Sequence, residues 1–158
     1  MQNYNAAASL FLSRLNAIAK RKKSDEFSDL ASFELNQSIG RPFRDMVIDS
    51  FNYLVDVSNN NNPFQLNMNY AITSDDLTPM IEEYLSELRG DKTAINITSN
   101  AFSIASIMFG ARFSVFCKDN DQPRVYFNLK RSLITQMENA TDDLKRRKSM
   151  KNLLLTIC

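Results

Sequence analysis

Apolar residues recur along this chain at intervals of three and four, the spacing that gathers them on one face of a helix. Tyr4, Ala8, Phe11, Leu15 and Ile18 mark a first amphipathic helix ending in the basic turn Lys20–Lys23, where cations suit the negative end of the helix dipole. A short second helix is predicted over Asp25–Ser38, with Gly40 as its left-handed stop. Pro42 suits the opening of a third helix, whose stripe is Phe43, Met46, Val47, Ser50, Phe51, Leu54 and Val55. The run Asn59–Asn62 with Pro63 ends it, and Phe64–Ile72 reads as a loop or a short irregular helix.

Ser74 or Thr78 is expected to cap the next helix, with Asp75 and Asp76 near its positive end and Pro79 tolerated within the first turn. Leu77, Met80, Ile81, Tyr84, Leu85 and Leu88 form its apolar face, and Gly90 stops it. From Ala101 to Cys117 the only charged side chain is Arg112. That run is short for a membrane span of about 20 residues and apolar around most of its circumference, the mark of a helix enclosed by others. The chain then turns at Lys118–Gln122, and Pro123 opens a helix with Tyr126, Leu129, Leu133, Ile134 and Met137 inward. Thr141, Asp142 and Asp143 read as the cap of a last helix reaching Leu153–Ile157. No stretch alternates convincingly over strand lengths. The fold class predicted is all-α: one domain over residues 1–158, about seven helices around a central apolar one.

Composition narrows the chemistry. There is no histidine, which removes His-ligated zinc, histidine-activated nucleophiles and the commonest general base. Cys117 and Cys158 cannot make a four-thiolate site, and three glycines supply no phosphate-cradling loop. A non-enzymatic protein with no cofactor and no metal is expected. The 19 basic and 18 acidic residues nearly cancel, but the cations cluster at Arg14, Lys20–Lys23 and again at Lys145, Arg146, Arg147, Lys148 and Lys151. The basic first helix also has a transit-peptide composition, although its regular stripe favours a place in the core. No interleaved aromatics accompany the basic runs, so no nucleic-acid partner is expected.

The segment "IMFGARFSVFCKDNDQ", Ile107–Gln122, resembles the end of the central helix in viral members of the B-cell lymphoma two (Bcl) family of apoptosis regulators, as encoded by large DNA viruses such as iridoviruses. "NYAITSDDLTPMIEEYLSEL", Asn69–Leu88, is similar to the loop and helix that precede it there. The likeness covers roughly residues 42–140. The family's Asn-Trp-Gly-Arg motif falls here on Ser99, Asn100, Ala101 and Phe102, so the tryptophan and arginine are absent and alanine replaces glycine. The late Gly-Trp motif and the C-terminal membrane anchor are missing too.

The resemblance implies a Bcl-like bundle that inhibits apoptosis by sequestering the amphipathic death-motif helix of pro-apoptotic relatives in a hydrophobic groove. Its walls would be Phe51, Leu54, Val55, Met68, Leu77, Met80, Ile81, Leu85, Ala101, Ile104, Ala105 and Met108. Phe102 stands where the family's arginine meets a ligand aspartate. That loss, about 2–5 kcal/mol for an unpartnered buried charge, predicts a narrow ligand range, with Arg89 or Lys92 as a substitute cation. A groove without its arginine also suits a second copy of the chain, hence a homodimer. The location implied is the host cytoplasm, peripheral to mitochondria, without an integral membrane anchor. The second reading keeps the Bcl-like fold but acts as an adaptor or inhibitor of host innate signalling through another surface.

Overall fold

The structure, a computed structural model, describes residues 3–22, 41–59, 61–90, 95–117 and 123–157. Among these, five helices and three strands follow one another: α1 (Tyr4–Lys22), α2 (Arg41–Ser58), β1 (Phe64–Asn69), α3 (Ser74–Arg89), α4 (Ser99–Phe109), β2 (Phe113–Phe116), β3 (Arg124–Leu129) and α5 (Arg131–Ile157). The molecule is mostly helical but not all-α, and the described residues hold five helices rather than about seven. The helix predicted over Asp25–Ser38, the stop at Gly40 and the turn at Lys118–Gln122 lie outside the described residues.

The first helix forms as its stripe predicts. Asn3 caps α1, its Oδ1 accepting from the Ala6 N–H at 2.8 Å, and Ala7, Ala8, Phe11, Leu15 and Ala19 are buried. In α2, Phe43, Val47, Ser50 and Leu54 turn inward, and Ser50 returns its hydroxyl to the Met46 carbonyl. The cap of α3 is Thr73 rather than Ser74 or Thr78. Asp76 Oδ2 accepts from both the Thr73 N–H and its hydroxyl at 2.9 and 3.0 Å. Pro79 sits in the second turn, not the first; the Asp75 carbonyl it leaves without an N–H accepts instead from Thr78 Oγ1. Gly90, at φ 63°, ends the helix in the left-handed conformation.

The apolar axis is present but shorter than its sequence suggests. In α4 every residue from Ala101 to Ile107 is buried, with α1, α2 and α3 packed around it and Phe102 edge-on to Phe127 of β3 at 5.6 Å. Thr98 caps its start through the Ala101 N–H. Gly110 ends it at φ 117°, a backbone region that side chains resist. The predicted helix over Ala101–Cys117 is therefore corrected: Phe113–Phe116 is a strand. So is Arg124–Leu129, where Pro123 was expected to open a helix. Phe113, Val115, Val125 and Phe127 alternate inward across the pair, in register Phe113↔Phe127 and Val115↔Val125. β-Branched and aromatic side chains of this kind fill a half-buried pleated surface better than a helix face.

Phe64–Asn69, expected as a loop, is the third strand, and the sheet runs β1-β3-β2, antiparallel throughout. Phe64 faces Leu129 and Asn69 faces Phe127, so five steps along β1 span two along β3. The excess forms a wide bulge. Its carbonyls are met by side chains: Asn128 Nδ2 donates to the Gln65 carbonyl at 2.9 Å, and the Arg112 guanidinium donates to the Gln65 and Leu66 carbonyls. Asn128 Oδ1 in turn accepts from the Arg112 N–H at 2.8 Å. The cap expected at Thr141 does not open a new helix. Leu133, Ile134, Met137, Ala140, Thr141 and Leu144 are all buried, a continuous helical stripe that carries α5 through the break. Packing overrides the capping preference.

Asn128 is only 4% exposed and joins three segments. Asn128→Ala should therefore cost about 2–4 kcal/mol, roughly two buried hydrogen bonds with groups left unpaired, lowering the midpoint in urea unfolding. Asn128→Asp should cost at least as much, because a carboxylate would face the Gln65 carbonyl.

Candidate functional site

The residues expected to wall a groove are mostly each other's core. Leu54, Leu77, Ile81, Leu85, Ala101, Ile104 and Ala105 are at most 5% exposed, where α2 and α3 close on α4. Phe51 is half-buried and edge-on to Phe109 at 6.4 Å; Met80 and Met108 are half-buried beside the same core. Val55, 42% exposed, faces away. Met68 stands apart on β1, against the turn that follows α4. The structure thus brings most of the set together as packing.

The charged positions have other duties. Arg89 pairs with Asp49 of α2 at 2.7 Å, tying the end of α3 to its neighbour, and Lys92 lies outside the described residues. Phe102 points beneath the sheet, so its position offers no contact to a ligand. In the basic run of α5, Arg146 pairs with Asp143 at 2.6 Å and Lys148 with Glu87 at 3.6 Å. Burial pushes the Tyr53 phenol well above its usual range, with Tyr84 and Glu83 adding to the effect, so it stays neutral in the core. Among the described residues no three Cys, Asp or Glu are grouped to hold a metal ion, and no helix is long and apolar enough to cross a membrane.

What the sequence reading missed is the outer face of the sheet. With Phe113, Val115, Val125 and Phe127 turned inward, the register places Ser114, Phe116, Arg124 and Tyr126 on the opposite side. Phe116 and Tyr126 lie on the diagonal of adjacent cross-strand pairs, and their rings meet at 5.9 Å. Tyr70, just beyond β1, closes the cluster at 5.7 Å from Phe116 and 5.5 Å from Tyr126. All three contacts are edge-to-face. Tyr70 is 59% and Phe116 53% exposed, on a face that antiparallel sheets usually surface with polar residues. Arg124 stands directly opposite Phe116 and makes no ion pair among the described residues. Alternation in "FSVF" and "RVYFNL" on either side of a polar, proline-containing segment was the available signal.

No family model, no curated protein and no solved structure matches this chain.

Core and surface roles separate cleanly by mutation. Ile81→Ala and Ile104→Ala should each cost about 2–5 kcal/mol as cavity-forming changes, whereas Phe116→Ser should leave stability within about 1 kcal/mol, in keeping with surface substitutions. Chemical unfolding of the purified variants measures both.

Proposed function

We propose that this protein is a non-enzymatic binding module that docks a protein partner on the outer face of its sheet, acting as an adaptor or inhibitor. The observation that carries this is the Tyr70–Phe116–Tyr126 cluster: three rings held together on the outer face of the sheet, beside an arginine that makes no ion pair among the described residues. Contiguous apolar patches on a surface mark interaction sites more often than scattered ones, and Tyr and Arg are the side chains that dominate protein interfaces. The rings meet edge-to-face rather than presenting parallel faces, which suits an apolar protein anchor better than stacked bases. Arg124 favours a partner that carries a carboxylate beside that anchor.

This is the second of the two readings implied by the Bcl resemblance, an adaptor or inhibitor of host innate signalling through a surface other than the groove. Capture of a death-motif helix is the weaker one. Parting Leu54, Leu77, Ile81, Leu85 and Ile104 to open a trough would cost about 7–15 kcal/mol at about 1.5–3 kcal/mol for each side chain. That is as large as the whole stability of a typical domain, about 5–15 kcal/mol, so an empty open groove would hardly be populated.

The test is site-specific photo-crosslinking in host-cell extract from position 116 or 126, with Val55 and Met80 as control positions. Crosslinks are expected from the sheet face, and the partner so identified should bind Phe116→Ser about thirtyfold more weakly or worse, the loss of one aromatic hot spot. Crosslinks from Val55 and Met80 alone, or tight binding of death-motif peptides that Phe116→Ser leaves unchanged, would overturn the proposal.

A further inference from the structure

Residues of α1, β1 and the turn after α4, none of them in the aromatic cluster, line an open cleft of about 410 Å³. This is within the usual size of small-molecule sites, about 300–1,000 Å³. Its walls are apolar: Leu10 from α1, Met68 from β1, Ile107 from α4 and Phe113 from β2. Two guanidinium groups, Arg14 and Arg112, also line it, and among the described residues no carboxylate does. Both arginines are exposed overall, so they stand at the mouth while the hydrocarbon surface forms the depth.

Neither arginine is neutralised by its surroundings. Arg14 lies over the Phe113 ring at 5.5 Å from the centroid. Such stacking uses the face of the guanidinium and leaves its in-plane N–H donors free. Arg112 donates from Nη2 to the Gln65 and Leu66 carbonyls, and a guanidinium has five N–H donors. Neither makes an ion pair among the described residues. A planar anion is what such forks recognise best, and the apolar walls require that it carry a hydrocarbon tail.

We infer that this cleft binds an amphiphilic carboxylate, its head held by Arg14 and Arg112 and its short hydrocarbon tail lying between Leu10, Met68, Ile107 and Phe113. Such a ligand would bridge the first helix to the sheet. The site is independent of the outer sheet face, and its occupant is a small molecule rather than a protein.

Calorimetry with octanoate, kept well below its micellar concentration, tests the inference on the full chain. Octanoate should bind and raise the unfolding temperature. Octanol, lacking the charge, octyltrimethylammonium, carrying the opposite charge, and acetate, lacking the tail, should each bind at least tenfold more weakly. Arg14→Gln should weaken octanoate about tenfold or more, the loss of a charge-assisted contact, while Arg14→Lys recovers part of it. Arg14 is exposed, so its variants should fold, which circular dichroism checks. Leu10→Trp, which fills the cleft, should abolish binding. Equal binding of octanol or of the cationic analogue, or unchanged octanoate affinity in folded Arg14→Gln, would overturn the inference.

Discussion

One side-chain amide joins the two halves of this architecture. Asn128, buried in β3, accepts from the Arg112 N–H in the turn that ends the apolar helix and donates to the Gln65 carbonyl in the bulge of β1. A strand with three more residues than its partner needs cannot pair by backbone alone, and the carbonyls left over must find other donors. The Arg112 guanidinium satisfies what Asn128 does not reach. The lone charge in the most apolar run of the chain is thereby accounted for. It lies past the end of α4, on the sheet side, and donates to backbone carbonyls rather than to a carboxylate.

From this joint the positions of the surfaces follow. Because β1 is held against β3, Tyr70 at its end reaches the rings of Phe116 and Tyr126. Because the inward residues of β2 and β3 cover α4, with Phe127 on Phe102, the apolar helix needs no external ligand to complete its burial. Its other sides are covered by α1, α2 and α3. On the exterior, the outer face of the sheet carries the Tyr70–Phe116–Tyr126 cluster.

The helical part of this structure was legible in the sequence, and the sheet was not. Phe11 and Leu15 of α1, Val47 and Leu54 of α2, and Leu77, Ile81 and Leu85 of α3 keep helical spacing, and each is buried. Gly90 ends its helix as expected. Gly110 was the informative residue beyond it: read as a small residue inside a helix, it is in fact a stop at φ 117°. In a helix continued through Gly110, Phe113 and Phe116 share a face, which hides the strand alternation. β1 carried less signal still, since its bulge breaks the period of two that would reveal a strand. The residues expected to wall a groove, most of them buried, illustrate a related point. Periodicity identifies which side chains are apolar and share a face, but core and binding surface leave the same pattern, and only the neighbouring elements decide between them.

The central claim is that the chain after Gly110 forms a hairpin whose inner face seals the core and whose outer face carries the aromatic cluster. Nuclear Overhauser contacts in the isotope-labelled protein test it most directly. The hairpin predicts strong sequential Hα–HN contacts through Phe113–Phe116 and Arg124–Leu129, with cross-strand contacts linking Val115 to Val125 and Phe113 to Phe127. Sequential HN–HN contacts running unbroken from Ser106 to Cys117 would instead show a continued helix, and would remove both the sheet and the surface it presents.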